Sequence, residues 1–207
     1  MPRGKAAASA GAKKPRGPKV PKLPDSFEPG TILKDLRKKD WKLGKEIGQG
    51  GFGLIYLVEA WRKGQKLKYL GVPKFIAAGS HMRANEQYRF MVMERFGSDV
   101  QKIFEGAGKQ FEVHTVFCLA LRMIEALEYI HHNGYVHADI KASNILLGFR
   151  AGKQQADEVY LVDFGLATKY QIDGEHKPYK EDKRMAHDGT IEFTSTDAHL
   201  GVGRYHT

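Results

Sequence analysis

Tyr135-Val-His137-Ala-Asp139-Ile-Lys141-Ala-Ser-Asn144 is the stretch of this 207-residue chain from which the fold can be read. A lone H-x-D is ordinarily a loop with a satisfied histidine. Here a lysine and an asparagine follow at fixed steps, giving H-x-D-x-K-x-x-N between an amphipathic segment and an apolar run. That set suits the transfer of a phosphoryl group. Such a transfer asks little covalent chemistry of a protein. It needs an acceptor hydroxyl positioned, its proton taken and the phosphate charge neutralised. Asp139 is suited to accept the proton and Lys141 to offset charge on the transferring group. Asn144 is suited to bind a magnesium ion through its side-chain oxygen.

Upstream, Val113, Val116, Phe117, Ala120, Met123, Ile124, Leu127 and Ile130 fall at helical spacing. They predict an amphipathic helix over 111–132, closed at Asn133-Gly134 in the manner of a C-cap. Downstream, Asn144–Leu147 and Val159–Val162 predict two short strands. The second runs into Val162-Asp163-Phe164-Gly165. Asp163 offers a carboxylate for a magnesium ion and Phe164 an apolar plug. A lone D-F-G is commonly just a turn. The gap from Asn144 to Asp163 suits a hairpin that returns both residues to one cleft.

Further upstream, Trp41–Ile47, Leu54–Val58, Val72–Ala78 and Tyr88–Glu94 read as strands, the last two separated by a polar loop containing glycine. Strands first and a helix later make an α+β order. The first two strands flank Gly48-Gln-Gly50-Gly51-Phe52-Gly53. A dinucleotide-binding G-x-G-x-x-G would open a helix at its last glycine, whereas here a strand follows. No Walker-type G-x-x-x-x-G-K-[ST] occurs. A glycine hairpin that brings backbone N–H groups close to phosphate fits better. A plain glycine hairpin remains the bland alternative for this motif alone; the three motifs in this order argue against it.

The formal charge of +9 is unevenly placed. Residues 1–24 carry seven Lys or Arg and no acid, so the remainder is close to balanced at +2. Residues 1–26 are nearly free of large apolar groups and are expected to be a disordered basic tail. The tail is either an inert solvated arm or a polybasic arm for nuclear targeting, nucleic acid or chromatin. The single cysteine, Cys118, excludes an internal disulfide and fits a reducing compartment. No apolar run reaches the ~18 residues needed to span a bilayer, and no secretory signal is expected.

With these motifs, residues 27–207 resemble the eukaryotic protein kinases, and within them the vaccinia-related kinases allied to the casein kinase 1 group. The branch is suggested by Leu67-Lys-Tyr-Leu-Gly-Val-Pro-Lys-Phe75, Tyr88-Arg-Phe-Met-Val-Met-Glu-Arg-Phe-Gly-Ser-Asp99 and His187-Asp-Gly-Thr-Ile-Glu-Phe-Thr-Ser-Thr-Asp-Ala-His199. The resemblance implies a two-lobe kinase-like fold, with an N-lobe over 27–96 and the start of a C-lobe over 97–207. It implies serine/threonine protein kinase activity with ATP and Mg²⁺. Asp139 and Lys141 would be catalytic, and Asn144 and Asp163 would hold metal. Ile47, Gly48, Gly50, Gly51, Phe52, Gly53, Ile55, Glu94 and Phe96 would contact ATP, with Met93 as gatekeeper. Protein substrates follow, chromatin proteins among them. The Met-Pro-Arg opening and basic tail are similar to nuclear members, which points to the nucleus, with the cytoplasm as a second location.

The chain departs from that pattern in three places. Ala138 stands where most kinases carry an arginine that grips a phosphorylated activation loop, so no such phosphate should be needed. Only residues 60–69 separate the strand ending near Glu59 from Leu70-Gly-Val-Pro. A strand bearing the ATP-anchoring lysine and a helix bearing its glutamate partner take about 17 residues, plus connections. They do not fit, and none of Lys63, Lys66 and Lys68 is assigned the role. Nothing follows Thr207 for the large helices under the catalytic loop, so a truncated or alternatively spliced product is expected. Two other readings stay open: a non-catalytic, pseudokinase-like interaction protein, and a basic chromatin or nucleic-acid binder acting through residues 1–24.

Overall fold

The computed structural model of the protein describes residues 25–50, 53–59, 71–177 and 189–199. The tail at 1–24 and the short junction at 60–70 lie outside the described residues. The chain divides into two compact units, one of residues 1–32 with 41–59, the other of 33–40 with 60–207.

Strand β1 spans Ile32–Lys34, β2 spans Asp40–Gly50 and β3 spans Gly53–Glu59. In the first unit β2 and β3 form an antiparallel hairpin whose pairing runs from Lys42↔Glu59 to Gly50↔Gly53. Trp41 and Leu43 are buried while Lys42 between them is exposed, the period-2 alternation of a half-buried strand. On the other side of Leu43, its backbone bonds to Gly30 and Thr31 at 2.7 and 2.8 Å. Phe27 is already held here, its N–H donating to the Tyr56 hydroxyl at 2.7 Å.

In the second unit β4 (Phe75–Arg83) and β5 (Glu86–Met93) form a longer hairpin than the sequence suggests. The expected loop is strand: Gly79 pairs with Phe90, whose ring would stand 2.6 Å from a Cβ at that position. The turn is only Ala84-Asn85, both with positive φ, as a two-residue hairpin with right-handed strand twist requires. Then come β6 (Phe96–Asp99), α1 (Val100–Gly106), α2 (Val113–His132), β7 (Tyr135–Val136), β8 (Ile145–Arg150) and β9 (Lys153–Leu161). Short pieces close the order: β10 (Thr168–Lys169), β11 (Gln171–Ile172), β12 (Glu175–His176) and α3 (Thr196–His199). Among the described residues no element lies between Glu59 and Phe75.

Strands β6, β8 and β9 form one sheet in that order. Helix α2 packs on it through Met123 and Ile130, which join Val159 and Leu161 in a cluster flanked by Leu119, Leu127, Ile145 and Leu147. The helix stops where predicted, at Asn133, with Gly134 at φ +79. The buried face differs from the expected one. Val113, Val116, Phe117 and Ile124 are exposed, and Ala126 is fully buried. The segment is apolar on two sides, and among the described residues the covered side is the one toward β8–β9 and Gly71.

Candidate active site

The residues of the loop 137–144 are carried between β7 and β8. Strand β7 is fixed by β10, through Val136↔Thr168 and Tyr135↔Lys169. The turn of 3-10 helix at Ala142–Asn144 leads directly into β8. His137 is fully buried. Its Nδ1 accepts from the Asp139 N–H at 3.3 Å, so Nε2 carries the proton and donates to the Val162 carbonyl at 2.9 Å. Burial holds its pKa below the ordinary imidazole value, against the opposing pull of the Val162 carbonyl and the charges of Asp139 and Asp163. The ring also meets Phe164 edge-on at 4.8 Å. His137 is therefore a neutral strut that ties the loop to the D-F-G segment. A second tie is the Val162 N–H donating to the Asn144 carbonyl at 2.9 Å.

Asp139 sits at the centre. Lys141 Nζ lies 2.8 Å from its Oδ2. Asn144 Nδ2 donates to the same oxygen at 3.0 Å and to the Asp139 carbonyl at 2.8 Å. Thr190 donates its hydroxyl to Oδ1 at 3.0 Å and accepts from Lys141 Nζ at 2.8 Å. Burial raises the pKa of this carboxyl. The hydrogen bonds from Lys141, Thr190 and Asn144, with the Lys141 charge, outweigh burial and leave it below the usual carboxylate value. Asp139 is thus ionised at neutral pH. The backbone is bent to achieve this: Ala138 has φ +66 and Gly189 has φ +97. A Cβ at Gly189 would stand 3.1 Å from the Ala138 carbonyl oxygen, so glycine is needed beside Thr190.

The residues fit a magnesium ion. Both Nδ2 bonds of the buried Asn144 go to Asp139, which fixes the amide with Oδ1 as its remaining ligand atom. Asp163 is exposed, in a left-handed conformation at φ +64, with Oδ1 accepting from the Gly165 N–H at 3.3 Å. One amide oxygen and one carboxylate, completed by water and phosphate oxygens, is the donor set magnesium takes. Among the described residues no cluster of three or more His, Cys, Asp or Glu offers an alternative metal cage.

Gly48, Gly50 and Gly53 lie on the β2–β3 hairpin in the first unit, as a hairpin reading requires. Gly51 and Phe52 lie outside the described residues. Ile47 and Ile55 are about half exposed. In the second unit Met93 ends β5. Glu94 accepts from the Lys74 N–H at 3.1 Å, and the Phe96 ring lies 4.9 Å from that of Tyr160. Sequence reasoning missed Thr190 as a partner of Asp139 and Lys141. The available signal was Gly189-Thr190 at the head of the segment 189–197.

The chain is similar to known protein kinases. A family model described as "Protein kinase domain" matches residues 60–197. The human serine/threonine-protein kinase VRK2 is 42% identical over 221 positions, covering 87% of this chain and 42% of its own length. Nucleosomal histone kinase 1 of Drosophila melanogaster is 41% identical over 242 positions, covering 96% of this chain and 39% of its own length. The B1 kinase of vaccinia virus (strain Western Reserve) is 30% identical, covering 83% of this chain and 67% of its own length. The solved structure of vaccinia related kinase 3 superposes with a TM-score of 0.74 at 25% identity, over 86% of this chain and 64% of that one. The chain thus spans about two fifths of the length of the first two relatives.

Proposed function

Because the chain belongs to the protein kinases, in the branch of the vaccinia-related kinases, we propose that its chemistry is transfer of the γ-phosphoryl of ATP to serine or threonine hydroxyls of proteins. One observation carries this reading: the ionised Asp139 is gripped by Lys141, Thr190 and Asn144 on a loop tied to Asp163. In this reading Asp139 orients the acceptor hydroxyl and takes its proton. Lys141 exchanges part of its contact with Asp139 for the transferring phosphoryl group. Asn144 and Asp163 hold Mg²⁺, which when bound neutralises phosphate charge. The glycine hairpin with Ile47 and Ile55, and the segment Met93–Phe96, take the nucleotide. Residues 27–96 and 97–207 act as the N-lobe and the start of the C-lobe. A nuclear, chromatin-associated role, with the basic tail touching DNA, is supported by the name of the Drosophila relative and by the +7 charge of residues 1–24.

A second reading is favoured by the junction at 60–70. The alignment with VRK2 has 221 positions but uses 87% of 207 residues, about 180, so about 40 positions face no residue of this chain. That is the size of a strand and a helix with their connections. The family match begins at residue 60, leaving the glycine hairpin outside it. On this reading the chain lacks the lysine strand and its helix, and is a non-catalytic, pseudokinase-like product. Measuring γ-phosphoryl transfer to casein or histone by the purified chain, with Asp139→Asn as control, separates the two. Transfer abolished by Asp139→Asn supports catalysis. Transfer no greater than that of the control supports the second reading.

A further inference from the structure

Helix α2 has a second apolar side that takes no part in the site above. Val113 and Phe117 are each 70% exposed, Ile124 63%, Leu121 57% and Val116 49%. His114, Phe117, Leu121, Ile124 and Glu128 recur at steps of three and four, so they form one stripe along the helix. The buried Met123, Ala126 and Ile130 fall on the opposite side. Five large side chains at these exposures leave roughly 500 Å² of apolar surface, at the upper end of what a monomer keeps uncovered.

Polar groups close the stripe at both ends, and they differ in kind. Near the start of the helix stands His114, beside Cys118, whose Sγ lies 3.8 Å from both ring nitrogens. Near the far end stands Glu128, which is exposed. Its neighbour Glu125 is paired with Arg122 at 3.0 Å, whereas Glu128 has no such partner among the described residues. Leu121 lies midway, seven residues from each end group.

We propose that this side of α2 is the interface for a second copy of the chain, packed antiparallel about a two-fold axis at Leu121. An interface between two copies must complement itself, residue i meeting j while j meets i. The stripe does so in one direction. With Leu121 on the axis, His114 of each copy faces the partner's Glu128, an N–H donor against a carboxylate at both ends. Phe117 then lies beside the partner's Leu121 and Ile124, apolar on apolar. A parallel pair would instead set Glu128 against Glu128. The two patches together make about 1,000 Å², the least a specific association takes. An anionic lipid surface fits less well, because Glu128 sits in the stripe itself.

Sedimentation velocity of the whole chain at neutral pH should show a closed dimer that dissociates on dilution. His114→Glu sets two carboxylates against each other at both ends and should raise the dimer Kd by about tenfold or more. Adding Glu128→Lys to it reverses the polarity of both ends and should restore the parent Kd. In a parallel pair the double variant opposes like charges, so a Kd that stays raised overturns the antiparallel arrangement. Cross-linking gives a readout that does not depend on charge. In a Cys118→Ser background, Leu121→Cys should form a disulfide between copies on mild oxidation. Val113→Cys should not, because its two copies would stand about 24 Å apart along the helices. Cross-linking at 113 but not at 121 overturns the proposal. So does a chain that stays monomeric at the highest soluble concentration, one that grows past the dimer without limit, or one that binds phosphatidylserine vesicles in place of itself. All the substituted side chains are exposed, and far-UV circular dichroism of each variant should match that of the parent chain.

Discussion

Asp139 and Lys141 are held as an ion pair at 2.8 Å, and Thr190, 51 residues from Asp139 in sequence, bonds to both. The hydroxyl donates to one side chain and accepts from the other, so it sets their spacing as well as their charge. Thr190→Val keeps the volume and removes both bonds. The Asp139 carboxyl should then titrate higher, since a bond that stabilises its ionised form is lost. Stability should fall by about 1–3 kcal/mol, because a partly buried carboxylate loses a donor. Carbon-detected NMR titration of the Asp139 carboxyl, with denaturant unfolding, checks both. An unmoved Asp139 titration would mean that Thr190 is a bystander.

Acid should destabilise the protein in two windows. His137 is held neutral, with its folded pKa below the unfolded value near 6.5. Its stabilisation is complete above that pH and is lost as pH falls through the folded pKa. Asp139 is also depressed, so its contribution is complete above about 3.9 and is lost at lower pH. Denaturant midpoints measured from pH 7.5 downward should therefore begin to fall below about pH 6.5. A flat profile from 7.5 to 5 would contradict the buried, neutral His137.

Two neighbouring backbone positions should respond in opposite directions. Gly189→Ala puts a Cβ into a left-handed site 3.1 Å from the Ala138 carbonyl, and should cost about 1–3 kcal/mol. Ala138→Gly relieves a positive φ, and should be neutral or stabilising by up to about 1 kcal/mol. Thermal melts of both variants test the pair. Equal losses would place the strain elsewhere.

Helix α2 should split by face. Met123→Ala and Ile130→Ala open the covered side and should each cost about 2–5 kcal/mol. Phe117→Glu and Ile124→Glu lie on the uncovered side. They should change stability by no more than about 0.5 kcal/mol while reducing self-association in sedimentation. With Val113 and Val116 also exposed, the isolated chain is expected to be poorly soluble until that side is covered. A soluble monomer with a sharp cooperative melt would refute this.

If the junction at 60–70 lacks the lysine that anchors the α- and β-phosphates, Mg-ATP should bind roughly ten- to hundredfold more weakly than to a chain that has it. A charge-assisted hydrogen bond is worth about 1.5–3 kcal/mol. Calorimetry giving a low-micromolar Kd would point to a substitute among Lys63, Lys66 and Lys68.

The loop 135–144, the glycine hairpin and the D-F-G turn were legible because each rests on local rules: fixed spacing along one backbone, glycines between two strands, a strand running into a turn. The end of α2 at Asn133-Gly134 was legible for the same reason. Which face of α2 is buried was not. Val113, Phe117 and Ile124 are as apolar as Met123 and Ile130, and helical spacing alone cannot tell a covered stripe from an open one. The β8–β9 sheet made that choice. Gly79 reads as loop by composition, yet it lies in strand, where the Phe90 ring occupies the space a side chain would fill. The sequence by itself determined the family, the order of the motifs and the grouping of Asp139, Lys141 and Asn144. Only the tertiary structure decided that Thr190 completes that group and that His137 is a neutral strut. Both depend on a hydrogen bond whose partner or burial is set by how the chain packs, and periodicity reports only on the backbone it runs along.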